Sequence, residues 1–455
     1  MTGTAQKQPL RIAIFTAVYA PVLSGVSIGV HQRARWLLQQ GHEVFLIHPE
    51  IDDQYPNEVR NRPMPGLGEL QSFPNFSSYA YPTKPIIFYK SFPEPMHYLH
   101  WSDTNLLENF QPDIVVVEEA AQMRGFYSLF WGGYGRPIGT EYAKRTSTPT
   151  ISLFHTDVLA YSQYYFGNWF FKFLGPIISA LIKRFTETYD VNYFSSQEQL
   201  TKYRAMKAER SEYLPYQGID CQKFQPRNIC YDPIPDDRRP TLLFVGRIAP
   251  EKNVTQLLDA FPTIAAKIPD VHLVIVGNGP QHEEIRRRAA KFGSGITVWG
   301  ESLGTELLGW FARADVFVNP SVTENFCTAT NEALASGTPV VAALAPSTSE
   351  QVFPGRNGFL VEPNNPRDLA KKVITILKDP ALKEEMTRQA RPSILEFDWS
   401  ACMQKFEDKL YQLVRAMKHE QAASPQDSHS DISEPHCQSP STPQQSSGLK
   451  ATSFF

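Results

Sequence analysis

Two glutamates in one short segment have the spacing to bind hydroxyl groups at two points of a single ligand. The segment SVTENFCTATNEALASGTPVVAA spans residues 321–343 and carries Glu324 and Glu332 with seven residues between them. An apolar run precedes it and Gly-Thr-Pro leads into another, so the pattern predicts strand, turn, helix over 328–335, turn and strand. At about 1.5 Å of rise per helical residue, the carboxylates lie at most about 12 Å apart. Each carboxylate can accept hydrogen bonds from both hydroxyls of a diol.

Two cations upstream are suited to a diphosphate. The segment FVGRIAPEKN, residues 244–253, ends a strand with Arg247 and then Lys252 near a helix start. Cations at that position oppose the helix dipole, so an anionic ligand explains them better than a solvated pair does. Together with the anion-binding N-terminus of the predicted helix, they predict a nucleotide-sugar site. Glu332 would hold the ribose and Glu324 the transferred sugar. The alternative is that both carboxylates are ordinary acidic residues near a helix N-terminus and bind no ligand.

The elements that must position these residues form two patterns of alternating strands and helices. The first contains the apolar runs RIAIFTAVY, HEVFLIHP, DIVVVEE, TISLFHTD and VNYFSS, a helix over 28–40, and a Pro- and aromatic-rich insertion at about 60–95. After the linker PRNICYDPIPDDRRP the pattern restarts with TLLFVGR, VHLVIVGNG, ITVWG, VFVNPS, PVVAA and GFLV. We therefore predict an α/β protein of two Rossmann-like, doubly wound domains facing a central cleft. The predicted divisions are domains at 1–225 and 226–396, a helix at 397–419 and a disordered tail at 420–455.

Composition narrows the class of protein. With 455 residues, 42% hydrophobic and 20% charged, the chain is long enough to build a core in each of two domains. The net charge of −3 argues against a nucleic-acid-binding protein, which would need a positively charged surface patch. The five cysteines lack metal-ligand spacing. No Asp-x-Asp-like pair stands beside the proposed cations, and the N-terminus lacks the apolar core of a signal peptide. We expect a cytoplasmic protein with no metal and no cofactor.

Several motifs in fixed order resemble one large family. GRIAPEKN, VGNGP, TENFCTATNEALASGTPVV and NGFLVEP resemble the donor half of retaining glycosyltransferases of the GT-B fold that carry a Glu-x7-Glu motif (family 4-like). In the first half, SGVSIGVHQRARWLLQQGHEVFLI is similar to the glycine loop and first helix of that family, and SLFHTDVLAYSQYY to its histidine segment. The chain departs from the family at Asn325 and Cys327, where glycines are common, and at Ser24, where a Gly-Gly pair is common.

The resemblance implies a role for each matching residue. Arg247 and Lys252 would stabilise the departing diphosphate, and His155 would contact the sugar from the first domain. Retention in the family is ascribed to attack on the same face without an enzyme nucleophile. The implied catalytic residues are His155, Arg247, Lys252 and Glu324. The implied donor-binding residues are Gly25, Arg247, Lys252, Glu324, Asn325, Phe326, Cys327, Thr328 and Glu332.

The acceptor site rests on weaker signals in the N-terminal half. DIVVVEEAAQ and FHTDVLAY resemble glycolipid-forming members, notably digalactosyldiacylglycerol synthases, and Glu118 or Glu119 could orient or deprotonate an acceptor hydroxyl. A solvated strand end is the alternative. After Pro176 an apolar helical face either joins the core or, with FSSYAYPTKPIIFYKSFPEP, contacts lipid at a membrane interface. The face comprises Ile177, Ile178, Leu181, Ile182 and Phe185.

These features define the predicted function. We predict a retaining, metal-independent hexosyltransferase that uses a nucleotide sugar, with UDP-galactose as a candidate, and a membrane glycolipid such as a glycosyldiacylglycerol. Transfer to a soluble or polyprenyl-linked saccharide is the alternative within the enzyme class. A non-catalytic nucleotide-sugar-binding protein is the alternative outside it. The expected partners are the donor and a lipid at a membrane face, which the protein would contact peripherally, and no nucleic acid.

The end of the chain is predicted to divide into a packed helix and an unpacked tail. The stripe Phe406, Leu410, Leu413 and Met417 has helical spacing, and the resemblance implies that this helix crosses back to the first domain. Beyond Glu420, Ser, Pro and Gln dominate. Such a segment has too little apolar surface to offset an ordering entropy of about 1–2 kcal/mol per residue.

Overall fold

The architecture is taken from a computed structural model of the chain. It describes residues 7–22, 24–60, 68–86, 89–95, 106–118, 140–155, 157, 168–226, 231–345 and 347–423. The strands are β1 (Arg11–Thr16), β2 (Glu43–Pro49), β3 (Phe76–Tyr81), β4 (Thr83–Ile86), β5 (Tyr89–Pro95), β6 (Ile114–Glu118), β7 (Thr150–Phe154), β8 (Val191–Phe194), β9 (Ser211–Tyr213), β10 (Thr241–Val245), β11 (His272–Val276), β12 (Ile296–Gly300), β13 (Val316–Asn319), β14 (Val340–Ala343) and β15 (Gly358–Val361).

Helices connect these strands and follow them. The α-helices are α1 (Gly25–Gln39), α2 (Asn57–Arg60), α3 (Leu106–Phe110), α4 (Thr140–Thr146), α5 (Asn168–Thr186), α6 (Gln197–Ala205), α7 (Val254–Ala265), α8 (His282–Ala289), α9 (Gly304–Arg313), α10 (Thr328–Ala335), α11 (Thr348–Gln351), α12 (Pro366–Lys378), α13 (Pro380–Ala390) and α14 (Trp399–Ala423). Short 3₁₀ segments lie at Leu70–Ser72, Pro250–Lys252, Ala290–Gly295, Arg391–Ser393 and Leu395–Phe397.

Two parallel sheets carry the fold. The first has seven strands in the order β3-β2-β1-β6-β7-β8-β9, and the second has six in the order β12-β11-β10-β13-β14-β15. Every strand pair within these two sheets is parallel, while β4 and β5 form an antiparallel pair. The predicted class, two Rossmann-like α/β domains, is therefore confirmed. The predicted boundaries at 225/226 and 396/397 stay predictions.

Strand order shows where each sheet can bind a ligand. The direction of winding reverses between β1 and β6 in the first sheet and between β10 and β13 in the second. In open parallel sheets, ligands bind at the carboxyl ends of the strands that flank such a reversal. Gly25 follows β1, Glu118 ends β6, Arg247 follows β10 and Glu324 follows β13. The candidate residues therefore lie at the two switch points.

Some elements differ from the sequence-based prediction. The structure places β3 and the β4–β5 pair inside the predicted insertion at 60–95, and it adds the short strand β9. β3 was missed because it is an edge strand with mostly exposed or half-buried residues, so it lacks the apolar run of a central strand. Helix α1 begins three residues earlier than predicted because Ser24 caps it, its side chain accepting a hydrogen bond from Ser27 N.

Helix α14 joins the two halves of the chain. Buried side chains on one face of it pack in a cluster that also contains residues of both sheets, such as Ile12 and Phe317. Polar contacts tie the same helix to the N-terminal half, including Lys7–Asp408, Lys409–Glu212 and Lys418–Asp113. The predicted tail, apart from the last residues of this helix, lies outside the described residues. The buried face comprises Cys402, Met403, Phe406, Leu410, Tyr411 and Val414.

Helix α5 contains the apolar face considered for membrane contact. Ile182 and Phe185 are buried, and Ile178 packs against the same core cluster. Ile177 points outward, with 52% of its surface exposed. Most of the face therefore belongs to the core. Across the described part of the chain, no helix combines the length and apolar character needed to cross a bilayer.

Candidate active site

Arg247 and Lys252 lie in the turn that follows β10, and each pairs with a carboxylate. The Arg247 guanidinium contacts the carboxylate of Glu251, whose side chain is buried. Lys252 Nζ lies 2.7 Å from Oε1 of Glu324, which is in the loop after β13. The structure thus brings together Lys252 and Glu324, which are 72 residues apart in the chain. It also identifies Glu251 as an orienting partner of Arg247.

The glycine-rich turn VGNGP supports this loop by close backbone approach. Gly277 has φ +139°, and a Cβ at this position would lie 1.9 Å from the carbonyl oxygen of Gly246, beside Arg247. The two loops are also joined by hydrogen bonds. The backbone N–H of Val322 and the Ser321 hydroxyl, both after β13, donate to the backbone carbonyl of Glu251 in the loop after β10. Both loops are therefore held together at the carboxyl edge of the sheet.

The loop from Glu324 to Thr328 faces the first domain. Asn325 Nδ2 donates to the backbone carbonyl of His155 at 2.7 Å, so this side chain spans the space between the two sheets. The Phe326 ring packs against Phe397, with centroids 5.5 Å apart. Cys327 forms the N-cap position of α10, and burial raises the pKa of its thiol to about 12, so it stays neutral. Thr328 is the first residue of α10.

Glu332 lies within α10, as predicted, with its side chain half-buried. Burial raises the pKa of this carboxyl to about 7. The free energy of ionisation in the empty protein is thus unfavourable, and hydroxyl donors from a ligand would lower it. The group is suited to a ribose diol for this reason.

On the facing side, Gly25 begins α1 beside its Ser24 cap. Apart from its chain neighbours and its own helix backbone, no described residue lies within 4 Å of a Cβ built at Gly25, so the packing of the described residues does not require the glycine. The position leaves room for a ligand to approach the backbone at the helix N-terminus. The implied backbone contact of Gly25 with phosphate stays a prediction.

His155 follows β7 and is held by its side chain inside the first domain. Its Nε2 lies 2.5 Å from Glu118 Oε2, and its Nδ1 lies 2.5 Å from Gln217 Nε2. The ring is almost fully buried, with 1% of the side chain exposed. Both ring nitrogens are therefore engaged within the protein, whereas the backbone carbonyl faces the Asn325 side chain. A sugar contact by the ring, as the resemblance implies, would require one of these hydrogen bonds to break.

Glu118 was considered as an acceptor-binding residue at the cleft edge, but the structure places its side chain in the interior. Its side chain has no exposed surface and forms a two-point ion pair with Arg33, with Nε to Oε1 at 2.6 Å and Nη2 to Oε2 at 3.3 Å. Burial alone would raise its pKa, but Arg33 and His155 outweigh burial and hold the pKa at about 2. For Glu118 the alternative of a solvated strand end is wrong, because its carboxylate is buried against Arg33 and His155. Glu119 lies outside the described residues.

Three of these polar residues were missed by sequence reasoning. Glu251 stands four positions after Arg247, a spacing that suits an ion pair. Arg33 falls among Val30, Ala34 and Leu37 on the buried face of α1, and a charge on a buried face signals a buried partner. Gln217 carried no signal of its own, because its contact depends on the path of the connection after β9.

The fold defines an α/β protein with two Rossmann-like domains, and comparison with known proteins gives the class. The family described as Glycosyltransferase Family 4 matches residues 23–222, and the family described as Glycosyl transferases group 1 matches residues 232–392. Together these two matches cover most of the chain. Both are glycosyltransferase families, so the chain is a glycosyltransferase, and its two Rossmann-like domains are those of the GT-B fold.

Individual relatives are also glycosyltransferases, and solved structures share the fold. The chain is 29% identical to the sulfoquinovosyl transferase SQD2 of Arabidopsis thaliana over 59% of its length, and the match spans only 53% of that protein. It is 28% identical to a GDP-mannose-dependent alpha-mannosyltransferase of Mycolicibacterium smegmatis, with 78% of this chain and 84% of that protein covered. Among solved structures, the sucrose-phosphate synthase of Thermosynechococcus elongatus superposes with a TM-score of 0.66 at 20% identity, covering 89% of this chain and all of that one. Anabaena HepE in complex with UDP and glucose gives 0.65 at 16% identity, with 89% and 100% covered.

Proposed function

We propose that this glycosyltransferase is a retaining hexosyltransferase that uses a nucleotide sugar and delivers the hexose to a membrane glycolipid. The observation that carries the donor assignment is the Lys252–Glu324 pair, 2.7 Å apart at the switch point of the second sheet. The pair combines a cation for a diphosphate with a carboxylate for sugar hydroxyls. Arg247, from the same loop as Lys252, supplies a second positive charge.

The proposed chemistry is charge stabilisation of the leaving group. When a donor binds, the Lys252 ammonium moves from Glu324 to the diphosphate, and the Glu324 carboxylate accepts hydrogen bonds from the hexose instead. Negative charge develops on the diphosphate as the glycosidic bond breaks, so preorganised cations lower the barrier. Glu332 holds the ribose and Gly25 offers a backbone amide to the phosphates. The acceptor hydroxyl attacks from the face that the diphosphate leaves and passes its proton to the departing phosphate oxygen, so the anomeric configuration is retained.

The lipid acceptor rests on surface character and resemblance. Ile177 on α5 is exposed, and so are the basic side chains of Lys183 and Arg184 further along the same helix. This combination of apolar and basic side chains suits shallow contact with a membrane. The named relatives direct the choice of donors, because one is GDP-mannose-dependent. UDP-galactose and GDP-mannose are therefore both candidates.

A donor panel followed by a transfer assay tests the function. Thermal shift with UDP-galactose, UDP-glucose and GDP-mannose should single out one donor, and transfer of its labelled hexose to a lipid extract should give an α-linked glycolipid. The anomeric configuration is read from the product by NMR. Transfer only to soluble or polyprenyl-linked saccharides would contradict the glycolipid assignment. Donor binding without turnover would support a non-catalytic binding protein.

Turnover is expected to survive removal of divalent metal. Arg247 and Lys252 supply the positive charge that a metal would otherwise bring to the diphosphate. In the residues that the structure describes, no group of three or more His, Cys, Asp or Glu side chains is arranged to hold a metal. The rate in EDTA should equal the rate in added Mg²⁺ or Mn²⁺. A strict metal requirement would show that the site is incomplete as proposed.

Donor affinity should rise with pH through neutrality. Glu332 has its pKa raised to about 7 by burial, so it is mainly protonated below that pH and ionised above it. If only the carboxylate binds the ribose diol, affinity scales with the ionised fraction and should increase about tenfold between about pH 6 and pH 8. Calorimetry at several pH values measures the affinity for a nucleotide sugar, whose diphosphate does not titrate in this range. Glu332→Gln should bind more weakly and lose the pH dependence.

The raised pKa of Glu332 should make the stability of the protein fall with rising pH, whereas donor affinity should rise. The folded state holds the Glu332 proton more tightly than the unfolded state, in which the pKa of this carboxyl is near its ordinary value of 4.5. The contribution of this group to stability is therefore present at low pH and is lost as the pH rises from about 4.5 through about 7. Increasing stability from this group over that range would contradict the assignment.

A further inference from the structure

A chain of buried polar side chains runs from helix α1 to the edge of the cleft. Arg33 on α1 contacts Glu118 at the end of β6, Glu118 contacts His155 after β7, and His155 contacts Gln217 in the connection after β9. The Arg33 and Glu118 side chains are 0% exposed and the His155 side chain is 1% exposed. Residues from four separate elements thus form one buried polar network.

The charges within this network compensate each other. Isolated burial of either ion would cost several kcal/mol, and a good partner geometry is required to offset it. Arg33 meets that requirement twice, because Nη1 also donates to the Tyr216 carbonyl at 2.6 Å. Its guanidinium lies 5.5 Å from the Tyr216 ring centroid and 5.0 Å from that of Phe406 on α14. The Glu118 carboxylate therefore stays ionised across the physiological range of pH.

The ionised carboxylate determines where the His155 ring carries its proton. A carboxylate can only accept hydrogen bonds, so the ring nitrogen that faces Glu118 must be the donor, which is Nε2. The amide nitrogen of Gln217 faces Nδ1 and donates to it, which requires Nδ1 to keep its lone pair. These two hydrogen-bond partners therefore favour the tautomer with the proton on Nε2 and fix the plane of the ring.

The network ends at the loop proposed to bind the transferred sugar. The backbone carbonyl of His155 accepts a hydrogen bond from Asn325, the residue next to Glu324. On the other side, Cys402 Sγ of α14 donates to the Gln217 carbonyl at 3.4 Å, and Phe406 of the same helix covers Arg33. The orientation of His155 is thus linked to the helix that joins the two halves of the chain.

We propose that Glu118, anchored by Arg33, is a positioning residue that fixes His155 as its Nε2–H tautomer and so places the His155 carbonyl against the sugar-binding loop. Glu118 does not itself bind the acceptor. The proposal rests on the proposed function for its effect on turnover, but the tautomer follows from the buried contacts alone. It predicts that the identity of the Glu118 side chain affects the rate and not nucleotide binding.

The test uses ¹⁵N-histidine NMR together with kinetics. Glu118→Leu alone would leave Arg33 buried without its partner and could unfold the protein, so the double variant Arg33→Met/Glu118→Leu removes both charges together with the acceptor that faces His155 Nε2, while the Gln217 amide can rotate to accept from Nδ1. Wild type should show His155 as a single Nε2–H tautomer, assigned by its loss in His155→Gln. The double variant should shift the proton toward Nδ1 or give a mixture. Its kcat should fall on the order of 10- to 100-fold, the scale seen when a carboxylate partner of a metal-ligating histidine is removed.

Matched measurements separate positioning from loss of fold. Nucleotide affinity should remain within about twofold of wild type, because the interaction lost acts on turnover rather than on ground-state binding. Asp157→Asn, which removes a buried carboxylate two residues from His155 that pairs with Lys202, should leave the His155 tautomer unchanged. A wild-type proton on Nδ1, or a double variant with an altered tautomer and full kcat, would overturn the proposal. If wild type turned over no nucleotide sugar, the proposed function would fail while the NMR result still decided the arrangement of the network.

Discussion

Replacing Lys252 with alanine should lower kcat/KM by on the order of 10²- to 10³-fold, the loss found when one donor that stabilises a developing anion is removed. Lys252 is the cation that the structure places against Glu324, so the variant removes charge at the point where diphosphate and sugar would meet. Its side chain is 21% exposed and ends in the cleft. Because 8% of the Glu324 side chain is exposed, the carboxylate left without Lys252 should lower the melting temperature, but by less than a fully buried unpaired carboxylate would. Initial rates with the donor from the panel, together with thermal melts, measure both effects.

A lysine in the same domain provides a matched control. Lys383 Nζ pairs with Asp315 at 2.7 Å, the same distance as the Lys252–Glu324 pair, but it lies on α13. Lys383→Ala removes a comparable ion pair and should leave turnover unchanged. Near-normal activity of Lys252→Ala, with donor binding intact, would contradict the diphosphate assignment.

Arg247 needs a different substitution, for a reason that sequence alone did not show. The Glu251 carboxylate that contacts Arg247 is buried, with 1% of its side chain exposed. Arg247→Ala would leave that carboxylate buried and unpaired, which is strongly destabilising. Loss of fold would then accompany loss of turnover. The double variant Arg247→Met/Glu251→Gln isolates the catalytic effect, because it removes both charges together.

The sequence predicted the fold where local pattern and burial agree. The strands that were predicted are buried on both faces and therefore appear as unbroken apolar runs, as in β6 and β11. β3 and β9 escaped because an edge strand and a three-residue strand have no such run. Helix α10 was predicted with its observed bounds, since Gly-Thr-Pro and the preceding polar turn define both ends.

The candidate site was predictable to the level of which loops meet, but not to the level of which side chains pair. Strand order alone brings residues after β10 and β13 to one edge, which is why Lys252 and Glu324 could be grouped from the sequence. The contacts of Glu118 could not be predicted in this way. They depend on Arg33 in α1 and Gln217 after β9, whose approach is a result of tertiary packing rather than of spacing.

Removing helix α14 should abolish both stability and activity, whereas removing the segment after Glu420 should affect neither. Truncation after Phe397 deletes the buried side chains of Cys402, Met403, Phe406, Leu410 and Val414 and exposes the surface beneath them. At about 1.5–3 kcal/mol for each large apolar side chain, the loss is on the order of 10 kcal/mol. That is comparable to the whole stability of a typical domain, about 5–15 kcal/mol.

The site gives a second reason to expect loss of activity from the shorter protein. Phe406 covers Arg33, and Cys402 contacts the Gln217 carbonyl, so deletion of the helix opens both ends of the network that holds His155. Truncation after Glu420 keeps these residues and every polar contact described between the helix and the N-terminal half. Thermal melts and donor turnover of the two truncated proteins measure the difference. If the truncation after Glu420 lost transfer to a glycolipid but kept donor hydrolysis, residues 421–455 would have to bind the acceptor or a partner, and the prediction that the tail is dispensable would be wrong.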